Sequence, residues 1–176
     1  MAGGASTNPC SETYKGVAAG DSPENLGLRT QINSLKASRG ISLYLDVQYV
    51  QPILLQSCSH TDYSPSSYGQ YILWPYGYDC SLRPENDAQH RSLATRAQSA
   101  IRAVSGTPYT IGPSCSTLYA TTGSSTDYTD VTGNATYSYT YELRDTGTYG
   151  FVLPANQIRP TVLETWAGVV SMFKDA

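Results

Sequence analysis

The chain has 176 residues, enough for one domain with a core of its own. Apolar residues make up 40% and charged residues 14%, where an ordinary globular domain carries about a quarter charged. The formal net charge is −3 with no basic run, which argues against nucleic acid or an anionic membrane surface as a partner, and no stretch reaches the length of a transmembrane helix.

Ser, Thr, Gly and Tyr fill the place of the missing charges, with 15 Tyr against 2 Phe. Tyrosines in a core need partners for their hydroxyls, so the composition predicts a polar-edged fold that contains a sheet. The four cysteines, Cys10, Cys58, Cys80 and Cys115, are an even set in a Lys-poor chain, which points to an oxidising compartment. No Cys-x-x-Cys is present, which argues against a zinc ribbon or a thioredoxin-type site. Asn134-Ala135-Thr136 is an acceptor sequon for N-glycosylation. The segment from Met1 to Pro9 has no apolar core and does not read as a signal peptide.

In chain order, residues 1–21 read as coil. Ser22-Pro23-Glu24 starts a helix with a cap serine, a proline at the first position and an acid in the first turn. Leu26, Leu28, Ile32 and Leu35 give this helix an apolar side, and Gly40 stops it. Residues 41–47 read as a buried strand, and 70–74 as another closed by the turn Pro75-Tyr-Gly-Tyr78. Residues 84–104 form the clearest helix, with Leu93, Ala97, Ala100, Ile101 and Val104 on one face and Gly106 as its stop. Residues 113–133 read as a long loop with a short helix at 126–130. Residues 137–142 alternate as a strand. A last helix over about 160–173 directs Val162, Leu163, Trp166, Val169, Val170 and Phe173 inward. Helices alternating with strands predict an α/β fold, a mixed sheet flanked by helices. Residues 48–66 have no consistent period and read as an atypical insert.

The chemistry-bearing residues are few. His90 lies mid-helix beside Arg91 and reads as a solvated surface histidine, while His60 near Cys58 and Asp62 is a weak metal candidate. No His-x-x-Glu, His-Glu-x-x-His or Gly-x-Ser-x-Gly is present, so neither a zinc hydrolase site nor a serine nucleophile is written locally. Glu142 closes a Tyr-rich strand, and the carboxyl end of a strand is where α/β sheets place reactive groups. By spacing alone it is equally well an ion-pair partner of Arg144 or Arg159.

Five motifs occur in order: Asn8-Pro-Cys-Ser-Glu-Thr-Tyr-Lys-Gly16; Pro75-Tyr-Gly-Tyr78; Leu118-Tyr119 with Gly123; Glu142-Leu-Arg-Asp-Thr-Gly-x-Tyr-Gly-Phe-x-Leu-Pro154; and Gln157-Ile-x-Pro-Thr161 with Glu164-Thr-Trp166. Together they resemble the C-terminal part of the zinc metallocarboxypeptidases of the carboxypeptidase A/B type, with the flavour of secreted fungal members. The resemblance spans the chain except 48–66 and makes residues 1–176 a partial peptidase catalytic domain, N-terminally truncated. It implies hydrolysis of the C-terminal peptide bond of peptides and proteins, an extracellular setting and a monomer. It also implies a zinc ion held by two histidines and a glutamate that polarises water and carbonyl.

By the same resemblance Glu142 matches the general base that takes the water proton. Tyr119 matches the mobile tyrosine that closes over the substrate, Tyr68 a tyrosine lining the cleft, and Thr126 the specificity-pocket position, where threonine leans toward a neutral or apolar side chain. Cys80 and Cys115 match a disulfide pair, whereas Cys10 is expected to lack its partner. The family's first two zinc ligands precede the first motif and are not in this sequence, and the third falls where 48–66 stands. The implied expectation is that this chain supplies no metal ligand and does not bind zinc. The alternative to a working peptidase is a catalytically inactive truncated or mis-spliced fragment, at most a peptide-binding remnant, with 48–66 a retained intron or an error in the gene model.

Overall fold

A computed structural model of the chain describes residues 5–11, 14–48, 69–149 and 153–175. Helix α1 (Pro23–Ser38) begins as the sequence predicts. The Ser22 side chain accepts from the Asn25 amide, and Gly40 ends the helix at φ 76° with its N–H bonded to the Leu35 carbonyl. Strand β1 (Leu43–Gln48) follows, then β2 (Tyr71–Trp74), α2 (Asp87–Ser105), β3 (Thr110–Pro113), the single turn α3 (Ser114–Thr117), α4 (Ser125–Val131), β4 (Tyr137–Glu142) and α5 (Ala155–Asp175). Gln48, placed at the edge of the atypical insert, is the last residue of β1. The rest of that insert, with His60, lies outside the described residues.

The strands form one four-stranded mixed sheet in the order β1-β4-β2-β3. β1 runs parallel to β4, β2 antiparallel to β4, and β3 parallel to β2. Among the described residues β1 therefore has a neighbour on one side only. Gln48 and Tyr71 both register with Glu142, so the end of β1 and the start of β2 flank the same residue from opposite sides of β4. The Gln70 N–H donates to the Glu142 carbonyl at 2.6 Å, and a Cβ on Gly69 would collide with the Leu143 carbonyl oxygen. Only glycine lets the two backbones approach this closely.

β4 sorts its residues by parity. Tyr139 and Tyr141 are fully buried on one face, where Tyr139 donates to the His90 carbonyl at 2.8 Å and the Tyr141 hydroxyl meets Met172 Sδ at 3.2 Å. These bonds answer the polar demand that a tyrosine-rich core creates. Ile72, Trp74, Leu93, Ala97 and Ile101 complete this core between the sheet and α2. Val104, expected on the inward face of α2, lies in the helix's last turn and is exposed.

The structure corrects the reading of α5. The helix starts five residues earlier than about Pro160, at Ala155, with the Gln157 N–H on the Pro154 carbonyl at 2.8 Å. It buries Thr161, Glu164, Thr165, Gly168 and Met172, while Val162, Leu163, Trp166 and Phe173 are exposed. A Cβ on Gly168 would lie 2.9 Å from Ile101 of α2, so the close crossing of the two helices selects the face with the small residues, not the apolar one. Strand β3 is a second departure. It falls where the sequence shows no alternation, and it exists by pairing with β2. A third concerns Cys10, which is disulfide-bonded and so does not lack a partner.

Candidate active site

The face of the sheet opposite α2 and α5 holds the cleft. Register places Asp46 beside Thr140 and Gln48 beside Glu142, so these four side chains share that face at the carboxyl end of two parallel strands. Leu73 of β2 continues the floor. The segment from Ser114 to Ser125 forms the opposite wall with Leu118, Tyr119, Thr121 and Ser124, and the space between is about 390 Å³. Glu142 and Tyr119 thus line one cleft, although 142 and 119 are brought together by different elements.

The wall is tied down on both sides of Tyr119. Cys115 is joined to Cys80 by a disulfide with a Cα–Cα distance of 4.8 Å, as the resemblance implied. Further on, the Thr121 N–H donates to the Gly77 carbonyl at 2.8 Å. Gly77 is held in turn: its N–H donates to both carboxylate oxygens of the buried Asp127, at 3.0 and 2.9 Å. Burial pushes the Asp127 carboxyl up, and the amides of Gly77 and Tyr78 pull against it. Tyr119 itself is 48% exposed between these anchors.

Glu142 has an unusual electrostatic setting. Burial, reinforced by the negative charge of Asp46, pushes its carboxyl up from 4.5 to about 7. Among the described residues that line the cleft none is cationic, so none of them offsets these two effects. Asp46 is fixed by the Ser125 hydroxyl, which donates to it at 2.5 Å, and by Gln48 Nε2 at 3.2 Å. A carboxyl balanced between acid and base near neutrality suits the transfer of a proton in both directions.

Immediately past Glu142 the chain is locked. Arg144 Nε donates to Glu164 Oε1 at 2.6 Å, and its Nη2 forms an ion pair with Oε2 of the same carboxylate. Arg144 Nη2 also donates to Thr107 Oγ1 at 2.8 Å and Nη1 to Gln157 Oε1 at 3.1 Å. Glu164 is fully buried and takes further bonds from Ser105 and Thr107. Burial alone would raise its carboxyl, but these donors hold it below the usual value. Arg144 is therefore committed to Glu164, and among the described residues Glu142 forms no ion pair.

The remaining expected site residues are placed as follows. Thr126 lies in α4 and is 1% exposed; its hydroxyl bonds to Ser124 Oγ at 2.6 Å, so it stands behind the cleft wall and not on its surface. Tyr68 lies outside the described residues. His90 corrects the sequence reading: it is fully buried on the other face of the sheet, with its ring centroid 5.2 Å from those of both Tyr137 and Tyr139. Asp46, Ser124 and Ser125 were missed by the sequence reading. Strand parity alone, once the pairing of β1 with β4 is known, finds Asp46.

The donor set bears on a metal. Among the described residues no three His, Cys, Asp or Glu side chains converge, and the cleft offers only the carboxylates of Asp46 and Glu142. That does not fit a zinc seat built from two histidines and a glutamate.

The family model described as zinc carboxypeptidase matches residues 1–168. The chain belongs to the zinc carboxypeptidase family. Among the similar zinc carboxypeptidases, the metallocarboxypeptidase A of Trichophyton rubrum is 42% identical over 171 residues, which is 97% of this chain and 36% of that protein. Carboxypeptidase B of Bos taurus is 39% identical over 170 residues, covering 94% of this chain and 34% of that protein. The chain thus spans about a third of the length of the curated relatives it matches. The structure of bovine thrombin-activatable fibrinolysis inhibitor in complex with tick carboxypeptidase inhibitor matches with a TM-score of 0.80 at 29% identity, covering 98% of this chain and 51% of that one. The mixed sheet flanked by helices is therefore the carboxypeptidase fold, in part. Among the described residues no helix is long and apolar enough to cross a membrane.

Proposed function

We propose that this chain carries the proton-transfer and substrate-closing part of a zinc metallocarboxypeptidase acting on the C-termini of peptides and proteins outside the cytosol. The observation that carries the proposal is the Glu142 carboxyl, set at about 7 at the end of β4 and facing the cleft that Tyr119 also lines. Glu142 accepts a proton from the attacking water and returns it to the nitrogen of the leaving amine, which leaves the carboxylate unchanged after one turnover. Tyr119 folds over the C-terminal residue of the substrate from its tethered loop. Thr126, bonded behind Ser124, shapes the wall that meets that residue's side chain, and its neutrality favours a neutral or apolar one. The Cys80–Cys115 disulfide supports an oxidising setting.

A second reading is favoured by the donor set: a catalytically inactive fragment that retains peptide binding in the cleft. No step is assigned to a metal here, because the described residues do not supply its ligands. The two readings part on one experiment with the 176-residue chain, measuring zinc content and release of the C-terminal residue from a chromogenic peptide. The expected result for the chain alone is no zinc above background and no chelator-sensitive turnover. One zinc per chain with such turnover overturns the fragment reading.

A further inference from the structure

The sequence contains one Asn-x-Ser/Thr triplet, Asn134-Ala135-Thr136, and the chemistry of the cleft makes no use of it. The triplet forms the turn between α4 and β4. α4 closes with the Thr132 N–H on the Tyr128 carbonyl at 2.8 Å and the Gly133 N–H on the same oxygen at 3.0 Å. A Cβ on Gly133 would lie 2.5 Å from the Thr129 carbonyl oxygen, so the chain turns away tightly here. Asn134 then takes φ 55°, a left-handed conformation that asparagine tolerates better than most side chains. That tolerance accounts for an asparagine at 134, but not for a hydroxyl two residues further on. The backbone beyond it is moored. The Ala135 N–H donates to the Thr129 carbonyl at 3.1 Å and the Thr136 N–H to the Ile41 carbonyl at 2.9 Å, while the Thr136 carbonyl accepts from Asn86 Nδ2 at 2.7 Å. Asn134 and Thr136 are both exposed, and among the described residues neither side chain is held by a hydrogen bond. The turn feeds the amino end of β4, whereas Glu142 closes its carboxyl end. The strand between them is roughly 17 Å long at about 3.3 Å per residue, so the triplet and the cleft lie at opposite ends of the sheet.

We propose that Asn134 is a site of N-glycosylation, whose Nδ2 carries an oligosaccharide at the end of the sheet opposite the cleft. The donor is an oligosaccharide linked to a lipid pyrophosphate, used by the membrane-bound transferase of the secretory route. Asn134 Nδ2 bonds to the anomeric carbon of the first sugar. The bond from that carbon to the pyrophosphate oxygen breaks, the leaving pyrophosphate keeps the electron pair, and Nδ2 gives up one proton to a base of the transferase. Nothing is oxidised or reduced. The inference rests on the proposed function only for the compartment, an oxidising one outside the cytosol, which the Cys80–Cys115 disulfide also supports. A glycan is bulky and solvated, so it keeps to the surface. An asparagine that had to be buried could not carry one into the folded state, whereas an exposed turn with a moored backbone accepts it without repacking. The length of β4 keeps it clear of a peptide entering beside Glu142.

The test directs the 176-residue chain into the secretory route of a eukaryotic cell with an appended leader, and collects both secreted and retained protein. Removal of the leader reports entry. The expected result is an added mass that peptide N-glycosidase takes off, with Asn134 converted to aspartate in the recovered peptide. Removal should proceed without denaturant, because the turn is exposed. Thr136→Ala keeps Asn134 and both backbone bonds of residue 136, and should abolish the added mass. Thr136→Ser retains a hydroxyl and should keep it. Position 136 is exposed, so far-UV circular dichroism of both variants should match the parent. A chain that has lost its leader yet carries an unmodified Asn134 overturns the inference, and so does the same added mass on Thr136→Ala. Removal that needs denaturant overturns the placement on an exposed turn. Glycosylated and trimmed chains should bind a peptide in the cleft equally, and weaker binding by the glycosylated form overturns the placement opposite the cleft. Absence of peptide binding by both forms leaves the glycan site standing and counts against the proposed function alone.

Discussion

Asp46 on β1 and Glu142 on β4 face the same cleft from neighbouring parallel strands, and the charge of the first adds to burial in holding the carboxyl of the second at about 7. The pair is unequal. Asp46 is hydrogen-bonded by Ser125 and Gln48, whereas no cation lines the cleft beside Glu142 among the described residues. Like charges and burial push in one direction here, so proton affinity concentrates on the residue at the strand end.

Replacing Asp46 by Asn removes the smaller of the two causes and should lower the Glu142 titration midpoint while leaving it above 4.5. Carbon-detected NMR of the glutamate carboxyls follows this directly. The same shift has a stability signature. The folded carboxyl holds its proton to about 7 while the unfolded one releases it near 4.5, so stability falls as pH rises through that window and is level above it. Glu142→Gln should therefore be more stable than the parent at pH 8, by about 1–3 kcal/mol after allowance for solvent access, and no more stable at pH 4. Urea unfolding at the two pH values is the measurement, and equal differences at both would contradict the assignment.

The Arg144–Glu164 pair tests a different link, from side-chain network to strand end. Arg144→Met leaves Glu164 as a buried carboxylate without its cation, which should cost about 3–5 kcal/mol. Replacing both, as Arg144→Met with Glu164→Met, should recover much of that loss, since a buried pair is worth little more than well-packed apolar groups. Denaturant midpoints of the two singles and the double form the cycle that decides.

His90 predicts an acid-side effect of opposite sign. Its Nε2 accepts from the Ser138 N–H at 3.4 Å and its Nδ1 lies 3.2 Å from the Asn86 carbonyl, which places the proton of a neutral ring on Nδ1. Burial pushes its pKa below 6.5, so the unfolded chain takes up a proton first, and stability is lost as pH falls through 6.5 toward the lower folded value. His90→Phe should be less stable than the parent at pH 7.5, with the gap narrowing below pH 6.5. Because Glu142 titrates across the same range with opposite effect, the comparison belongs in the Glu142→Gln background.

For the disulfide, a non-reducing peptide map should recover Cys80 and Cys115 in one linked fragment. The bridge closes a sequence separation of 35, and its loss in the double Ser variant should cost about 2–4 kcal/mol. Because the bridge anchors the wall that carries Tyr119, peptide affinity in the cleft should weaken as well, by more than the fold-wide loss explains.

Much of the scaffold is legible in the chain. Ser22-Pro23 announces α1, Gly106 at φ 73° ends α2, and alternation marks Tyr137–Glu142. Three features are not, each because a partner distant in sequence decides them. β3 has no pattern of its own and is made by its pairing with β2. His90 looks solvated because Gln89 and Arg91 beside it are, while its own ring is claimed by Trp74, Tyr137 and Tyr139. The apolar periodicity of α5 is real, but Gly168 and its small neighbours make the close crossing with α2, which turns the periodic face outward. In the cleft, Glu142 and Tyr119 came from family resemblance. Asp46, whose charge adds to the burial of Glu142, required the strand register.

The crossover from β1 to β2 has a further consequence for how this chain tolerates change. Gln48 and Tyr71 stand two strand positions apart, a gap of roughly 10 Å that about three extended residues can span. The chain assigns residues 49–70 to that step, and Gly69 pressed on the Leu143 carbonyl fixes where it must land. Geometry asks for a short tether, so its length is a nearly free variable for the sheet. The landing point is not free, since Gln48 and Tyr71 both register with Glu142. A side chain at position 69 would meet the Leu143 carbonyl and push the start of β2 away from Glu142, whatever the length of the sequence between the two strands.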